Sequence, residues 1–242
     1  MNMARLDKLI ADSGVASRSE AKAMIRAGRV SVNGAAAMSA EEKFDGDSAL
    51  ICVDGQPINA SRFRYIMMYK PGGVLSATED SRQQTVLDLL PKDLQRLGLF
   101  PVGRLDKDTT GLLILTNDGD YAHRVISPKH HVAKCYRAAV DGVLDEGDVE
   151  AFAAGLVLAD GLECLPAKLF IERPCVGVVT VYEGKYHQVK RMIEALGSHV
   201  TFLERISFAG IPLDEGLARG EWRPATEEEK NRLLAAAEIK EN

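Results

Sequence analysis

The chain has 242 residues, 46% hydrophobic and 27% charged, the balance of a globular protein with room for one large domain or two smaller ones. No apolar run approaches the roughly 20 residues that span a membrane, and the net charge of −5 argues against a protein that coats nucleic acid nonspecifically. Cys52, Cys135, Cys164 and Cys175 are widely spaced with no CxxC pair, which excludes a zinc ribbon or thioredoxin-like motif and fits reduced thiols in the cytoplasm.

"MNMARLDKLIADSG" carries Asp7 and Asp12 in a helical pattern and does not read as a secretory leader. Leu6, Leu9 and Ile10 share one helical face, and Gly14 can end the helix in the left-handed conformation. Ser17 and Glu20 have the spacing of a capping box for a second helix. Ala21, Met24 and Ile25 continue the apolar face as far as Gly28. "RVSVNG" predicts a short strand and an Asn33-Gly34 turn, and "LICVDG" a strand ending at Asp54-Gly55.

Charge is uneven. Residues 1–33 hold six basic side chains against three acids, and residues 34–60 hold one against five. Arg18, Lys22, Arg26 and Arg29 recur at helical spacing away from the Met24/Ile25 face, which by itself describes any amphipathic helix with a solvated outer side. The stretch "RLDKLIADSGVASRSEAKAMIRAGRVSVNG", with the later "VDG", resembles the S4-type RNA-binding domain over about fifty residues. That resemblance implies that these four cations touch an RNA backbone. The expected division is an S4-like domain over 1–58, a polar linker over 59–64 and a second domain over 65–242.

In the second domain "YIMMYKPGGVLSA" reads as a strand broken at Pro71-Gly72-Gly73, where a loop beside Lys70 either turns or approaches a phosphate. "TVLDLLP" reads as a short helix, "HVAKCYRAAVDG" as a strand, "DEGDVEAFAAGLVL" as a helix and "GVVTVYEG" as a strand. "HQVKRMIEALGSHV" places Val189, Met192, Ile193 and Leu196 on one helical stripe. "TEEEKNRLLAAAEIKEN" reads as a terminal helix with acids in its first turn. Short strands interleaved with fewer helices predict α+β, with a mixed, mainly antiparallel sheet and flanking helices.

"GRLDKDTTGLLILTNDG" gathers Asp106, Asp108, Asp118 and, one residue on, Asp120 around an apolar run that reads as a buried strand. A metal site would want further ligands on converging elements. Asp118 lies in an Asn-Asp-Gly turn, Asp120 is placed to cap the helix "DYAHRVIS", and Asp108 is placed to order the polar loop before Thr109. Asp106 stands between Arg104 and Lys107, and a loop carboxylate among cations stays anionic, which suits a nucleophile or base. Spacing alone leaves a catalytic and a structural Asp106 both open. His130 and His131 are adjacent on an expected strand, so they point to opposite faces and read as structural or RNA-facing.

This motif, with "YKPGGVLSA", "SPKHHVAKCYRA" and "EGKYHQVKRMIEALGSHV" in that order, resembles the RNA pseudouridine synthases. "DTTGLL" is similar to the branch of ribosomal small-subunit pseudouridine synthase A. The resemblance implies isomerisation of a uridine in 16S ribosomal RNA, at the position conventionally numbered 516, without cofactor or metal. It implies that Asp106 attacks the sugar or takes its proton, that Tyr136 stacks on the uracil, and that Lys190 pairs with Asp106. Lysine there supplies charge without the bidentate fork of an arginine. Arg104, His187 and Arg191 are implied to contact RNA. The partner would be 16S ribosomal RNA or a small-subunit assembly intermediate, met by a cytoplasmic monomer. Alternatives are the same chemistry on 23S ribosomal RNA, a non-catalytic S4-type assembly factor, and a metal-dependent RNA hydrolase.

Overall fold

In a computed structural model, residues 3–61 and 63–238 are described. The chain divides into two compact units, Met1–Arg64 with Leu90–Leu99, and Tyr65–Leu89 with Phe100–Asn242. Leu90–Leu99 lies within the stretch expected to form the second domain, yet it packs with the first unit. A side chain at Gly14, which has φ +83°, would stand 3.0 Å from the Asp93 carbonyl. Of the expected linker, Arg62 lies outside the described residues, as do Met1, Asn2 and the last four positions of the terminal stretch.

The first unit runs β1 (Met3–Arg5), α1 (Leu6–Asp12), α2 (Arg18–Arg26), β2 (Val30–Val32), β3 (Ala35–Ala36), β4 (Lys43–Asp45), β5 (Ile51–Val53) and β6 (Gln56–Ile58). Local chemistry fixes most of it. The Ser17–Glu20 capping box forms in both directions. Asn33 (φ 52°) and Gly34 (φ 83°) make the left-handed pair that joins β2 to β3 in a tight hairpin. Leu6, Leu9, Ile10, Ile25, Val30 and Ile51 form the core. Asp7 is fully buried beside it and accepts from Arg5 at 3.1 Å and Arg18 at 3.2 Å, with the Lys22 ammonium at 3.8 Å. Burial opposes its charge, but the bonds from Arg5 and Arg18 prevail and hold its pKa below the usual carboxylate value.

The second unit begins with β7 (Tyr65–Lys70). The segment α3 (Lys92–Gln95) belongs to the first unit. Then follow β8 (Phe100–Pro101), β9 (Thr110–Thr116), α4 (Gly119–Ile126), β10 (Lys134–Val140), α5 (Glu146–Ala154), β11 (Lys168–Arg173), β12 (Val176–Val181), α6 (Gln188–Ala195), β13 (Val200–Phe208), β14 (Ile211–Pro212), β15 (Trp222–Pro224) and α7 (Glu227–Ala236). "TVLDLLP" forms a single 3₁₀ turn, Leu87–Leu89, rather than a helix, because Pro91 ends it within a turn. The main sheet has the order β11-β12-β10-β13-β9-β7-β15, with β14 beside β13 and β8 beside β9. Only β13–β9 is parallel among its described pairs, so the sheet is mixed and mainly antiparallel, as expected.

Every residue of β9 is buried. Gly111, at φ +109°, lies against the backbone of Arg205 on β13, and a Cβ there would collide with the Arg205 amide nitrogen and carbonyl oxygen. Gly111→Ala is therefore expected to lower stability by about 3 kcal/mol or more. In thermal denaturation that is roughly 6–12 °C for a chain of this size. An unchanged melting temperature would contradict the close β9–β13 approach.

Candidate active site

The loop between β8 and β9 carries Asp106, and it is pinned from both sides. The Ser76 hydroxyl donates to the Leu105 carbonyl at 2.8 Å and accepts from the Leu105 amide at 3.0 Å. The Lys70 ammonium, fully buried, donates to the carbonyls of Pro71 (2.9 Å), Lys107 (3.2 Å) and Thr109 (2.9 Å). The Gly73 amide also donates to the Lys107 carbonyl, and the Thr109 amide to that of Asp106. Lys70 is thus occupied by backbone carbonyls. Two of its hydrogen bonds hold the loop that carries Asp106 and the third holds the Pro71 carbonyl, and burial pushes its pKa down to about 8.

Helix α6 supplies the other half. Its apolar stripe, Val189, Met192 and Ile193, is buried, which turns Lys190 outward. His187 precedes the helix and lies three residues from Lys190, so both side chains reach the same spot. The Lys190 ammonium stands 3.1 Å from Asp106 and 2.6 Å from Asp108, and His187 Nε2 stands 3.5 Å from the other Asp106 oxygen. Partial burial works against the Lys190 charge, but bonds to Asp108 and Asp106 outweigh it and raise its pKa. The bond from Lys190 lowers the pKa of Asp108. Asp108 therefore does more than order its loop: it shares the cation of Asp106. A monovalent ammonium sits between these carboxylates, where a metal reading would place its ion. Among the described residues no three His, Cys, Asp or Glu side chains group as a metal site.

The cap role falls to Asp118 and not to Asp120. Asp118, expected in a turn, is the N-cap of α4 and accepts from the Tyr121 amide at 3.0 Å. It also accepts from the Tyr65 hydroxyl at 2.6 Å, tying β7 to α4. Asp120, expected as the cap, lies exposed in the first turn, because the cap falls two residues earlier than the sequence indicated.

Tyr136 lies on β10, 9% exposed, directly across from Arg205, which on its other side pairs with Gly111 at the root of the Asp106 loop. Two strand spacings, about 10 Å, thus separate Tyr136 from that root along the sheet. Arg205 itself is 1% exposed, bonds the Leu112 carbonyl and lies over the Phe208 ring. Neither Lys70 nor Arg205 was predicted as a site residue. A charged residue inside a strand looks solvated until its long-range pairing is known.

The predicted RNA contacts differ in their freedom. Arg104 and Arg26 are exposed and have no carboxylate partner among the described residues. Arg191 is paired with Asp160 at 2.5 Å. In the first unit Arg29 forks onto Asp54 at 2.7 and 2.5 Å, and Arg18 and Lys22 lean on Asp7. The positive surface there is partly neutralised by the protein's own acids.

Comparison with known proteins agrees with this architecture. The RNA pseudouridylate synthase family model matches residues 64–161, and the S4 domain model residues 4–43. The chain is 47% identical to the uncharacterised RNA pseudouridine synthase YtzG of Bacillus subtilis over 95% of this chain and 98% of that one. It is 42% identical to ribosomal small subunit pseudouridine synthase A of Vibrio cholerae and 40% identical to that of Escherichia coli. Each of these comparisons covers 93% of this chain and 97% of the relative. A crystal structure of a pseudouridylate synthase superposes with a TM-score of 0.68 at 36% identity, over 95% of this chain and 99% of that one. The chain belongs to the RNA pseudouridine synthases, in the branch of ribosomal small-subunit pseudouridine synthase A, and carries an S4 domain at its N-terminal end.

Proposed function

We propose that this enzyme converts one uridine of 16S ribosomal RNA, the one conventionally numbered 516, to pseudouridine, on the RNA or on a small-subunit assembly intermediate in the cytoplasm. The observation that carries the reading is the Asp106–Lys190 pair at 3.1 Å on a loop pinned by Lys70 and Ser76. The reaction breaks the N-glycosidic bond, turns the base and rejoins it through carbon. It needs an anion at an electron-poor sugar, a surface that keeps the base from leaving, and a target drawn out of its stack at a cost of a few kcal/mol. Asp106 supplies the anion as nucleophile or base, Lys190 pairs with it and sets its direction, and Tyr136 takes the uracil by stacking. Arg104, His187 and Arg191 line the approach of the strand, and Arg18, Lys22, Arg26 and Arg29 on the first unit contact RNA phosphates. Incoming phosphates must displace Asp54 and Asp7 from three of those four cations.

Lys190→Met is expected to lower kcat/KM by about 30- to 150-fold, or 2–3 kcal/mol, because a partly exposed pair contributes less than a fully buried one. Lys190→Arg should recover most of the loss. Equal activity of the methionine variant would remove Lys190 from the mechanism.

Substrate choice is tested by incubating the enzyme with 16S and 23S transcripts and mapping pseudouridine chemically. A single new site in 16S at the expected uridine supports the proposal. A site only in 23S establishes the alternative substrate, which the small-subunit names of the relatives disfavour.

A further inference from the structure

Tyr186 is 76% exposed, and its ring stacks on that of its neighbour His187 at a centroid distance of 3.9 Å and an interplanar angle of 17°. Adjacent side chains ordinarily diverge. Here His187 takes the left-handed conformation (φ 49°, ψ 32°), which folds the two rings onto each other. A non-glycine residue in that region is strained, and an exposed tyrosine recovers little through burial. The fold nevertheless holds the turn firmly. Gln188 accepts from the Lys185 amide at 3.0 Å and donates to the buried Glu183 at 2.8 Å, and Glu183 in turn accepts from the Leu165 amide.

The pair has two unlike sides. The imidazole faces Asp106, with Nε2 at 3.5 Å. The far face of Tyr186 is open to solvent, one ring beyond the imidazole. An aromatic face on a rigid turn, flat, unburied and next to a site that works on a nucleotide, has the properties of a stacking platform for a single-stranded base.

We infer that the outer face of Tyr186 binds a nucleobase flanking the target uridine, so that the strand is gripped by one stack at Tyr136 and a second at Tyr186. This rests on the reading of the site as a pseudouridine synthase. Stacking of this kind is tolerant of base identity, so the platform sets the path and register of the strand, with little preference for one base over another. A phenylalanine or tryptophan serves as well as tyrosine, because the hydroxyl is not part of the contact.

The test is a double-substitution cycle on a 16S fragment containing the mapped uridine, read as release of tritium from C5. Tyr186→Ala is expected to raise KM about tenfold (1.4 kcal/mol) with kcat unchanged, and Tyr186→Phe and Tyr186→Trp to behave as wild type. An abasic nucleotide is then placed in turn at the two positions on either side of the target. At one position the wild-type enzyme should show the same tenfold rise, and Tyr186→Ala should add nothing further, because protein ring and base have lost the same contact. A 2-aminopurine at that position should be quenched by wild type and not by Tyr186→Ala. The alanine variant should keep its melting temperature, since the side chain is exposed; if it melts lower, the quenching by wild type alone decides. Losses that add at all four positions, or the absence of quenching at each of them, overturn the inference. A wild-type enzyme that releases no tritium defeats the functional reading itself, an outcome distinct from both.

Discussion

Asp106→Asn is expected to reduce kcat by about 10⁴-fold or more, the scale on which removing a nucleophile or its base acts, while leaving the fold intact. Asparagine has nearly the same shape and keeps the loop bonds, which come from Leu105, Lys107 and Thr109 and not from the Asp106 carboxylate. Lys190 still has Asp108 at 2.6 Å, so no charge is stranded. Asp108→Asn should behave otherwise. That carboxylate is 75% exposed, and an exposed pair contributes at most about 1 kcal/mol, so its loss should cost no more than about tenfold in kcat/KM. Two acids two residues apart, bound to one lysine, are thereby separated by single-turnover kinetics. Comparable losses in the two variants would mean that the pair works as a unit.

Lys70→Met is expected to damage both stability and rate. Methionine fills similar volume but leaves the carbonyls of Pro71 and Thr109 without their donor, while that of Lys107 keeps the Gly73 amide. Each buried orphan costs about 1–3 kcal/mol, partly offset because a buried ammonium is also removed. A net loss of about 3 kcal/mol corresponds to a fall on the order of 10 °C in melting temperature. The loosened loop should lower kcat by about 10²-fold, as misplacement of a reacting group by an ångström does. The pH dependence has a definite sign. Lys70 titrates near 8 when folded against 10.5 when free, so between those values the unfolded chain holds more protons. The penalty for burying the charge is complete below pH 8 and fades as pH rises towards 10.5. Lys134, also pushed to about 8 by burial, contributes the same slope in both proteins and cancels. Urea melts at pH 7 and about pH 10 should therefore show wild type gaining on Lys70→Met at the higher pH. A gap that narrows would contradict this ionisation.

What could be read from sequence was local. The Ser17–Glu20 box, the Asn33-Gly34 hairpin and the Val189–Ile193 stripe need only neighbours within a turn or two, and they form as read. The cap at Asp118 in place of Asp120 is a two-residue shift at a helix boundary, where turn and cap chemistry use the same residues. Lys70, Arg205 and the partners of Asp7 were hidden because their roles depend on strands or helices far apart in the chain. The Asp106–Lys190 contact joins residues 84 positions apart, which no spacing rule reaches. It was expected only through likeness to a family, and the structure places the two groups in contact.

Activity as a pseudouridine synthase on ribosomal RNA underlies every role given to these residues. Its most direct test is wild-type enzyme, with a chelator present, on 16S transcript tritiated at uridine C5. Tritium release should level off near one equivalent per transcript, with the strand intact. No release from either 16S or 23S RNA, or strand cleavage that the chelator stops, would contradict it.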